Sequence, residues 1–122
     1  MKGLKELLLS DNNIGDKGCS HLADALAKIE GLDRLRLSDN NIGAEGCRHL
    51  APALEKMKGL KELDLFINII GDEGCRHLAL ALAEMKGLKS LNLKSNNISE
   101  EGKTVMRDAW KKAGKDIDGF KF

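Results

Sequence analysis

The chain has 122 residues, the length of one ordinary domain, and its 20 Lys and Arg balance 19 Asp and Glu to a net charge of +1. That balance argues against nucleic acid or an anionic membrane as the main partner. The apolar runs are too short to cross a bilayer, and Lys5 and Glu6 interrupt the place where a signal peptide would be apolar. We therefore expect no nucleic-acid partner and no membrane association.

Residues 3–30 predict a strand, a loop and a helix in that order. Leu7 and Leu9 stand two positions apart, the spacing of one buried face of a short strand. A helical stripe at i, i+3, i+4 and i+7 follows, formed by Cys19, Leu22, Ala23 and Leu26. Asp16 falls where the first helical turn should begin, a position at which a carboxylate caps free N–H groups.

The same 28-residue pattern continues without insertion through residues 31–58, 59–86 and 87–114. One such unit cannot bury its apolar side alone, but stacked units cover one another. Parallel strands lie about 4.8 Å apart whereas helices are roughly 10 Å wide, so the stack must curve. We predict one α/β solenoid domain over residues 1–122, with parallel strands on the concave face and helices on the convex face.

The third unit is apolar where its siblings are polar. It reads "LFINIIGDEG" from residue 65, against "LSDNNIGDKG" from residue 9 and "LSDNNIGAEG" from residue 37. Phe66, Ile67 and Ile69 therefore replace Ser, Asp and Asn, although Ile70 already fills the core slot. We expect the three extra side chains on the lip at the carboxyl end of the strand and in the ascending loop after it.

The fourth unit and the tail predict a finished C-terminal end. Trp110 makes the last helix bulkier than its siblings. The tail over residues 115–122 alternates apolar side chains like a short final strand, at Ile117, Phe120 and Phe122. We interpret this segment as a C-terminal cap that covers the last core layer.

The N-terminal end is predicted to be open, because the chain begins almost directly on its first strand. The prediction is that four side chains show an open flank, that Leu8 lies on the strand face and that the first strand has an unpaired edge; the four are Leu4, Leu7, Leu9 and Leu26. Two explanations stay open, a piece of a longer repeat protein or a chain that associates with itself, including an engineered assembly. Pro52, which falls mid-helix and could cost up to about 3 kcal/mol, argues against an idealised design, whereas the regularity of the units argues for one.

The motif L-x-x-L-x-L-x-x-N-x-I-x-x-x-G-x-x-x-L-x-x-x-L, which begins at Leu4, resembles the leucine-rich repeat. The 28-residue length and the "GC-x-HLA" helix resemble the ribonuclease-inhibitor-like subtype, which includes NOD-like receptor repeats and the Ran GTPase-activating protein. The resemblance covers residues 3–114. It implies a curved horseshoe segment that recognises proteins, whereas no residue demands a GTPase-activating role.

Every reactive residue type recurs as a column of equivalent positions, which is typical of a scaffold. One column is an asparagine ladder that satisfies backbone groups in the turns: Asn12, Asn40, Asn68 and Asn96. Another is a set of reduced thiols in the core, too far apart for disulfides and typical of a cytoplasmic protein: Cys19, Cys47 and Cys75. The column of His21, His49 and His77 is interpreted as packing between helices. We expect no catalytic residues, no metal and no cofactor.

The columns that vary between units carry the functional prediction. We expect a non-catalytic protein–protein interaction module that binds a protein or peptide through the concave face and the ascending-loop lip. Its anchor is Phe66, Ile67 and Ile69, and its polar surround is Arg34, Arg36, Glu62, Asp64 and Asn92. Three alternatives stay open: a salt-bridge ladder among the surround charges, an apolar cluster folded onto itself, and a structural scaffold that self-associates through Leu4, Leu7, Leu8 and Leu9.

Overall fold

The computed structural model describes residues 3–122 as strands and helices in strict alternation, followed by a short 3₁₀ turn and a last strand. The strands are β1 (Glu6–Leu8), β2 (Arg34–Arg36), β3 (Glu62–Asp64), β4 (Ser90–Asn92) and β5 (Phe120–Lys121). The helices are α1 (Gly15–Leu26), α2 (Ala44–Lys56), α3 (Gly71–Leu82) and α4 (Glu100–Lys112). Residues 1 and 2 of the predicted domain lie outside the described residues.

The five strands form one parallel sheet in chain order. Parallel neighbours need a crossover connection, and each helix provides one. The register pairs Leu7 with Leu35, Leu35 with Leu63 and Leu63 with Leu91, so one leucine per unit lies on a common buried face. Each helix packs against the next. The predicted α/β solenoid is therefore confirmed.

The core between the sheet and the helices is aliphatic, and the cysteines belong to it. Among residues 3–122, all three cysteines are buried free thiols. Burial raises the pKa of the Cys19 thiol to about 12 and that of Cys75 to about 11. For Cys47 burial again raises the pKa, with smaller contributions from the other two thiols. They therefore behave as small apolar groups rather than nucleophiles.

The units of residues 3–114 alternate in how their helices begin, because only the first and third units have an aspartate that binds the start of the next unit's helix. The Asp16 carboxylate accepts hydrogen bonds from the N–H groups of Gly43 (2.6 Å) and Gly46 (3.0 Å), so it caps helix α2 of the following unit. In the same way Asp72 accepts the N–H of Ser99 at 2.8 Å, and the Ser99 hydroxyl and amide lower the pKa of Asp72. The prediction that Asp16 caps its own helix was wrong, because helix α1 has no side-chain cap and the carboxylate reaches the next unit instead.

A second contact crosses the same boundaries in the opposite direction. Gly15 and Gly71 have φ values of +66° and +65° and donate their N–H groups to the carbonyl oxygens of Asn40 (2.8 Å) and Asn96 (2.9 Å). The left-handed backbone at the first helical residue explains the preference for glycine at these two positions. Units one and two, and units three and four, are thus joined by reciprocal contacts.

The C-terminal end is organised by Trp110. This side chain is fully buried, and its Nε1 donates to the Asp116 carbonyl at 2.7 Å. Its ring centroid lies 5.3 Å from that of Phe120. The Lys115 ammonium donates to the carbonyl oxygens of Met85 (2.7 Å) and Leu88 (2.9 Å), and burial followed by nearby Lys86 lowers its pKa.

The predicted alternation of the tail was wrong at Ile117. This residue begins the 3₁₀ turn Ile117–Gly119, and its side chain is 61 % exposed. The Asp116 carboxylate accepts the N–H of Asp118 at 3.1 Å, which turns the chain at this point. Only Phe120 and Lys121 then pair with β4.

Candidate functional site

Backbone pairing continues past the carboxyl ends of the strands into the loops. We call residues 10–13, 38–41, 66–69 and 94–97 the lip. Within it Asp11 N–H donates to Ser38 O (3.1 Å), Asp39 N–H to Phe66 O (2.9 Å) and Ile67 N–H to Lys94 O (3.1 Å). The lip is thus an ordered ladder in which equivalent residues of neighbouring units lie side by side.

Each unit contributes one level of the lip, which we call a step. The three predicted anchor residues all lie in the third step, formed by residues 66–69. Ile67 is 44 % and Ile69 is 51 % exposed, whereas Phe66 is half-buried. Few large apolar side chains are this exposed in the described part of the chain, and the lip carries two of them. The two isoleucines therefore provide most of the exposed apolar surface at this level of the lip, and Phe66 provides less.

Ile67 holds a left-handed backbone, with φ at +53°. The same conformation at Asp11, Asp39 and Ser95 is ordinary for short polar residues, but a β-branched residue is a genuine outlier there. At the other isoleucine the loop avoids this conformation, since the equivalents of Ile69 have positive φ and Ile69 does not. The fold therefore tolerates a strained backbone at Ile67 that its polar equivalents adopt readily.

The predicted polar surround separates into two groups with different roles. The Arg34 guanidinium lies 2.9 Å from the Glu6 carboxylate and 3.2 Å from that of Glu62, which is the salt-bridge ladder that the sequence left open. The carboxylate of Asp64 accepts the N–H of Phe66 at 3.0 Å, so it fixes the backbone where the chain enters the third step of the lip. We call this third step, with Phe66, Ile67 and Ile69, the apolar step.

Arg36 forms no ion pair in the described residues, whereas Asn92 makes the same kind of backbone contact as Asp64 one unit further on. The Arg36 side chain is exposed. The Asn92 amide oxygen accepts the N–H of Lys94 at 3.1 Å and is half-buried. Of the five surround residues, Arg36 is thus the one whose charge is available on the strand face.

The lip also carries charges that the sequence reasoning did not single out. Asp11 and Asp39 occupy the first two steps of the column that continues with Ile67 and Ser95. The Asp11 side chain, through hydrogen bonding and repulsion, raises the pKa of the Asp39 carboxyl. On the other side, exposed Lys94 follows Phe66 by one step. Comparison of the units column by column would have located the aspartates, because the series Asp, Asp, Ile, Ser is uneven. It would also have located Lys94, because that residue ends the series Ser, Ser, Phe, Lys.

The predicted open N-terminal flank was wrong at Leu26, which is fully buried because helix α1 packs it into the core. Leu8 is 55 % exposed, and Leu4, Leu7 and Leu9 are half-buried. The second-unit equivalents of Leu4, Leu7 and Leu9 are buried, for example Leu35 at 0 %. The equivalent of Leu8 is the exposed Arg36, so Leu8 lies on the strand face. Within residues 3–122, a partly exposed leucine surface therefore lies beside β1.

The described residues offer no other chemistry at these surfaces. Across residues 3–122, His, Cys, Asp and Glu nowhere gather in a group of three placed to bind a metal ion. In the same range, every helix is too short or too polar to span a membrane.

Comparisons with known proteins agree with this architecture. A family model described as leucine rich repeat matches residues 4–23, 32–51, 59–79 and 88–102. The chain is similar to a solved structure, the tropomodulin C-terminal domain of Caenorhabditis elegans, with 13 % identity and a TM-score of 0.69 over 91 % of this chain and 84 % of that one. No curated protein gives a significant sequence match. The chain therefore belongs to the leucine-rich repeat family, whose domains are protein-interaction modules.

Proposed function

We propose that the chain is a non-catalytic recognition module that binds a protein or peptide through the lip and the adjoining strand face. The anchor is the apolar step formed by Phe66, Ile67 and Ile69. Exposed apolar side chains that form one cluster usually mark an interface. The observation that carries the proposal is the strained backbone at Ile67, because a fold that needed only stability would use a polar residue there.

The strand-face charges contribute less to the proposed binding than the sequence alone implied. Arg34 and Glu62 already neutralise each other, so a partner that used them would first have to break an exposed ion pair. Exposed pairs of this kind are worth roughly 0.2–1 kcal/mol. Arg36, Asp64 and Asn92 border the apolar step and complete the proposed contact area.

Replacing Ile67 and Ile69 together by asparagine should abolish peptide binding without weakening the fold. Asparagine accepts left-handed backbone readily, so the Ile67→Asn change alone should stabilise the protein by about 1 kcal/mol. Binding is measured by selection of short random linear peptides displayed on phage, with the wild-type protein as bait. The double variant should enrich no peptide family, because it lacks the exposed part of the anchor.

The matched control is Leu80→Asp, which removes an exposed apolar side chain (71 %) from the helix side of the molecule. It should select the same peptides as the wild type. Equal enrichment by the wild type and the Ile67→Asn, Ile69→Asn variant would refute the proposed site. Thermal unfolding of each bait excludes loss of binding through misfolding.

A second candidate function is self-association through the N-terminal flank. It rests on the exposure of Leu8 and on the half-buried Leu4, Leu7 and Leu9 beside the outer edge of β1. We expect the wild-type sedimentation coefficient to rise with protein concentration and that of Leu8→Glu to stay at the monomer value. A wild-type coefficient that is constant over a wide concentration range would remove this candidate.

A further inference from the structure

The apolar step of the lip is unevenly charged on its two sides. In the column Asp11, Asp39, Ile67 and Ser95, carboxylates occupy the two steps before Ile67. In the neighbouring column an ammonium follows the apolar residue, since Lys94 lies one step beyond Phe66. Across the lip the order is therefore acidic, apolar, basic.

The carboxylates at the acidic side are available to a partner. Asp11 and Asp39 are both exposed, and no ion pair involves either of them in the described part of the chain. A hydrogen bond with the Asp11 side chain raises the pKa of the Asp39 carboxyl most, and desolvation and repulsion from Asp11 raise it further. A cation placed between the two carboxylates would relieve that repulsion, whereas an anion would increase it.

The spacing of these features matches an extended chain laid across the units. Neighbouring steps lie about 4.8 Å apart, so the midpoint between the two aspartates is about 7 Å from Ile67. Side chains on one side of an extended peptide recur every two residues, about 6.8 Å. A residue four positions away would then lie about 13.6 Å from the first, close to Lys94.

We propose that the occupant of the lip is an extended peptide segment in which Lys or Arg stands two residues from an aliphatic side chain, with the cation between Asp11 and Asp39 and the aliphatic group on Ile67 and Ile69. An acidic residue two positions further on pairs with Lys94. The geometry fixes the order of side chains across the lip and leaves the chain direction of the peptide free. This inference rests on the proposed function of the apolar step and adds the chemistry of its partner.

The test uses two baits in the same phage selection of random linear peptides, the wild type and an Asp11→Asn, Asp39→Asn variant. Asparagine keeps the left-handed backbone at both positions and removes only the charge. Wild-type selections should be enriched in Lys or Arg two residues from Leu, Ile, Val or Phe. The asparagine variant should keep the aliphatic preference and lose the basic one.

A titration then measures the contribution of the cation. The most enriched wild-type peptide and its Lys→Gln or Arg→Gln version are compared by fluorescence anisotropy on both baits. We expect the exchange to weaken binding about fivefold on the wild type, the upper range for an exposed ion pair, and to change nothing on the asparagine variant.

The outcomes separate this inference from the function on which it rests. Peptides rich in aliphatic residues but without a basic preference would overturn the inference and leave the apolar site intact. An equal loss on both baits after the Gln exchange would also overturn it, because the cation would then contact another group. Absence of any enrichment over the Ile67→Asn, Ile69→Asn bait would remove the apolar site itself, and the inference with it.

Discussion

Replacing Asn68 by alanine should destabilise the protein by about 4 kcal/mol, since each buried polar group left without a partner costs about 1–3 kcal/mol. The Asn68 amide oxygen accepts the N–H groups of Asn40 and Ile42, each at 3.0 Å. Its amide nitrogen donates to the carbonyl oxygens of Leu37 and Leu65, each at 3.0 Å. The side chain is 5 % exposed, so in the folded alanine variant water does not replace these four hydrogen bonds.

The first member of the same ladder provides the control. Asn12 is exposed, and its amide nitrogen donates only to nearby carbonyl oxygens of Leu9 (2.8 Å) and Ser10 (3.0 Å). Asn12→Ala should therefore cost about 1 kcal/mol or less. Urea unfolding followed by circular dichroism measures both variants. Equal losses at the two positions would contradict the view that cross-unit bonds make the ladder structural.

Trp110→Ala is expected to cost a similar amount, about 3–5 kcal/mol, which is typical for truncation of a buried aromatic residue. The change removes a fully buried ring, its contact with Phe120 and its hydrogen bond to Asp116. Trp110→Phe should cost less, because it keeps most of the packing and loses only the hydrogen bond. Because Trp110 is the sole tryptophan, unfolding must be followed by circular dichroism rather than fluorescence.

Amide exchange at two positions distinguishes local detachment of β5 from destabilisation of the whole fold. The N–H of Leu93 donates to Lys121 O at 2.7 Å and reports on the attachment of β5, whereas the N–H of Leu37 donates to Asp64 O at 2.8 Å near the other end. In Trp110→Ala, amide exchange should accelerate more at Leu93 than at Leu37 under native conditions. Equal acceleration at both amides would show that Trp110 does not act through β5.

Much of the fold could be predicted because the same physical problem recurs in each unit. The paired leucines of the sheet, typified by Leu63, follow from a period of two within each strand and a fixed period of 28 between units. The tail could be predicted only in part. Ile117 obeys the apolar alternation, but the Asp116 carboxylate turns the chain at this point by accepting the N–H of Asp118, and Trp110 binds the Asp116 carbonyl. The alternation of apolar residues encodes neither hydrogen bond.

The candidate site was harder to predict because its properties depend on backbone conformation and on neighbours in space. Departure from the repeat sufficed to single out Ile67 and Ile69. The left-handed backbone at Ile67 could not be inferred from that residue, since only its polar siblings favour the conformation. The pairing of Arg34 with Glu6 and Glu62 followed from alternating charge, yet the sequence could not decide between this ladder and binding.

The alternating junctions have a consequence for protein engineering. Reciprocal contacts tie residues 3–30 to 31–58 and residues 59–86 to 87–114, whereas the loops at the middle junction share the bond from Ile69 N–H to Ile42 O at 2.8 Å. Insertion of one odd-numbered unit would place two loops of the Gly15–Asp16 type in neighbouring units. Insertion of the second unit would instead place Ala44 where the next unit's helix needs a capping carboxylate. Grafting, deletion or tandem duplication should therefore use two-unit blocks, cut at residue 58, as the module that keeps every helix start satisfied.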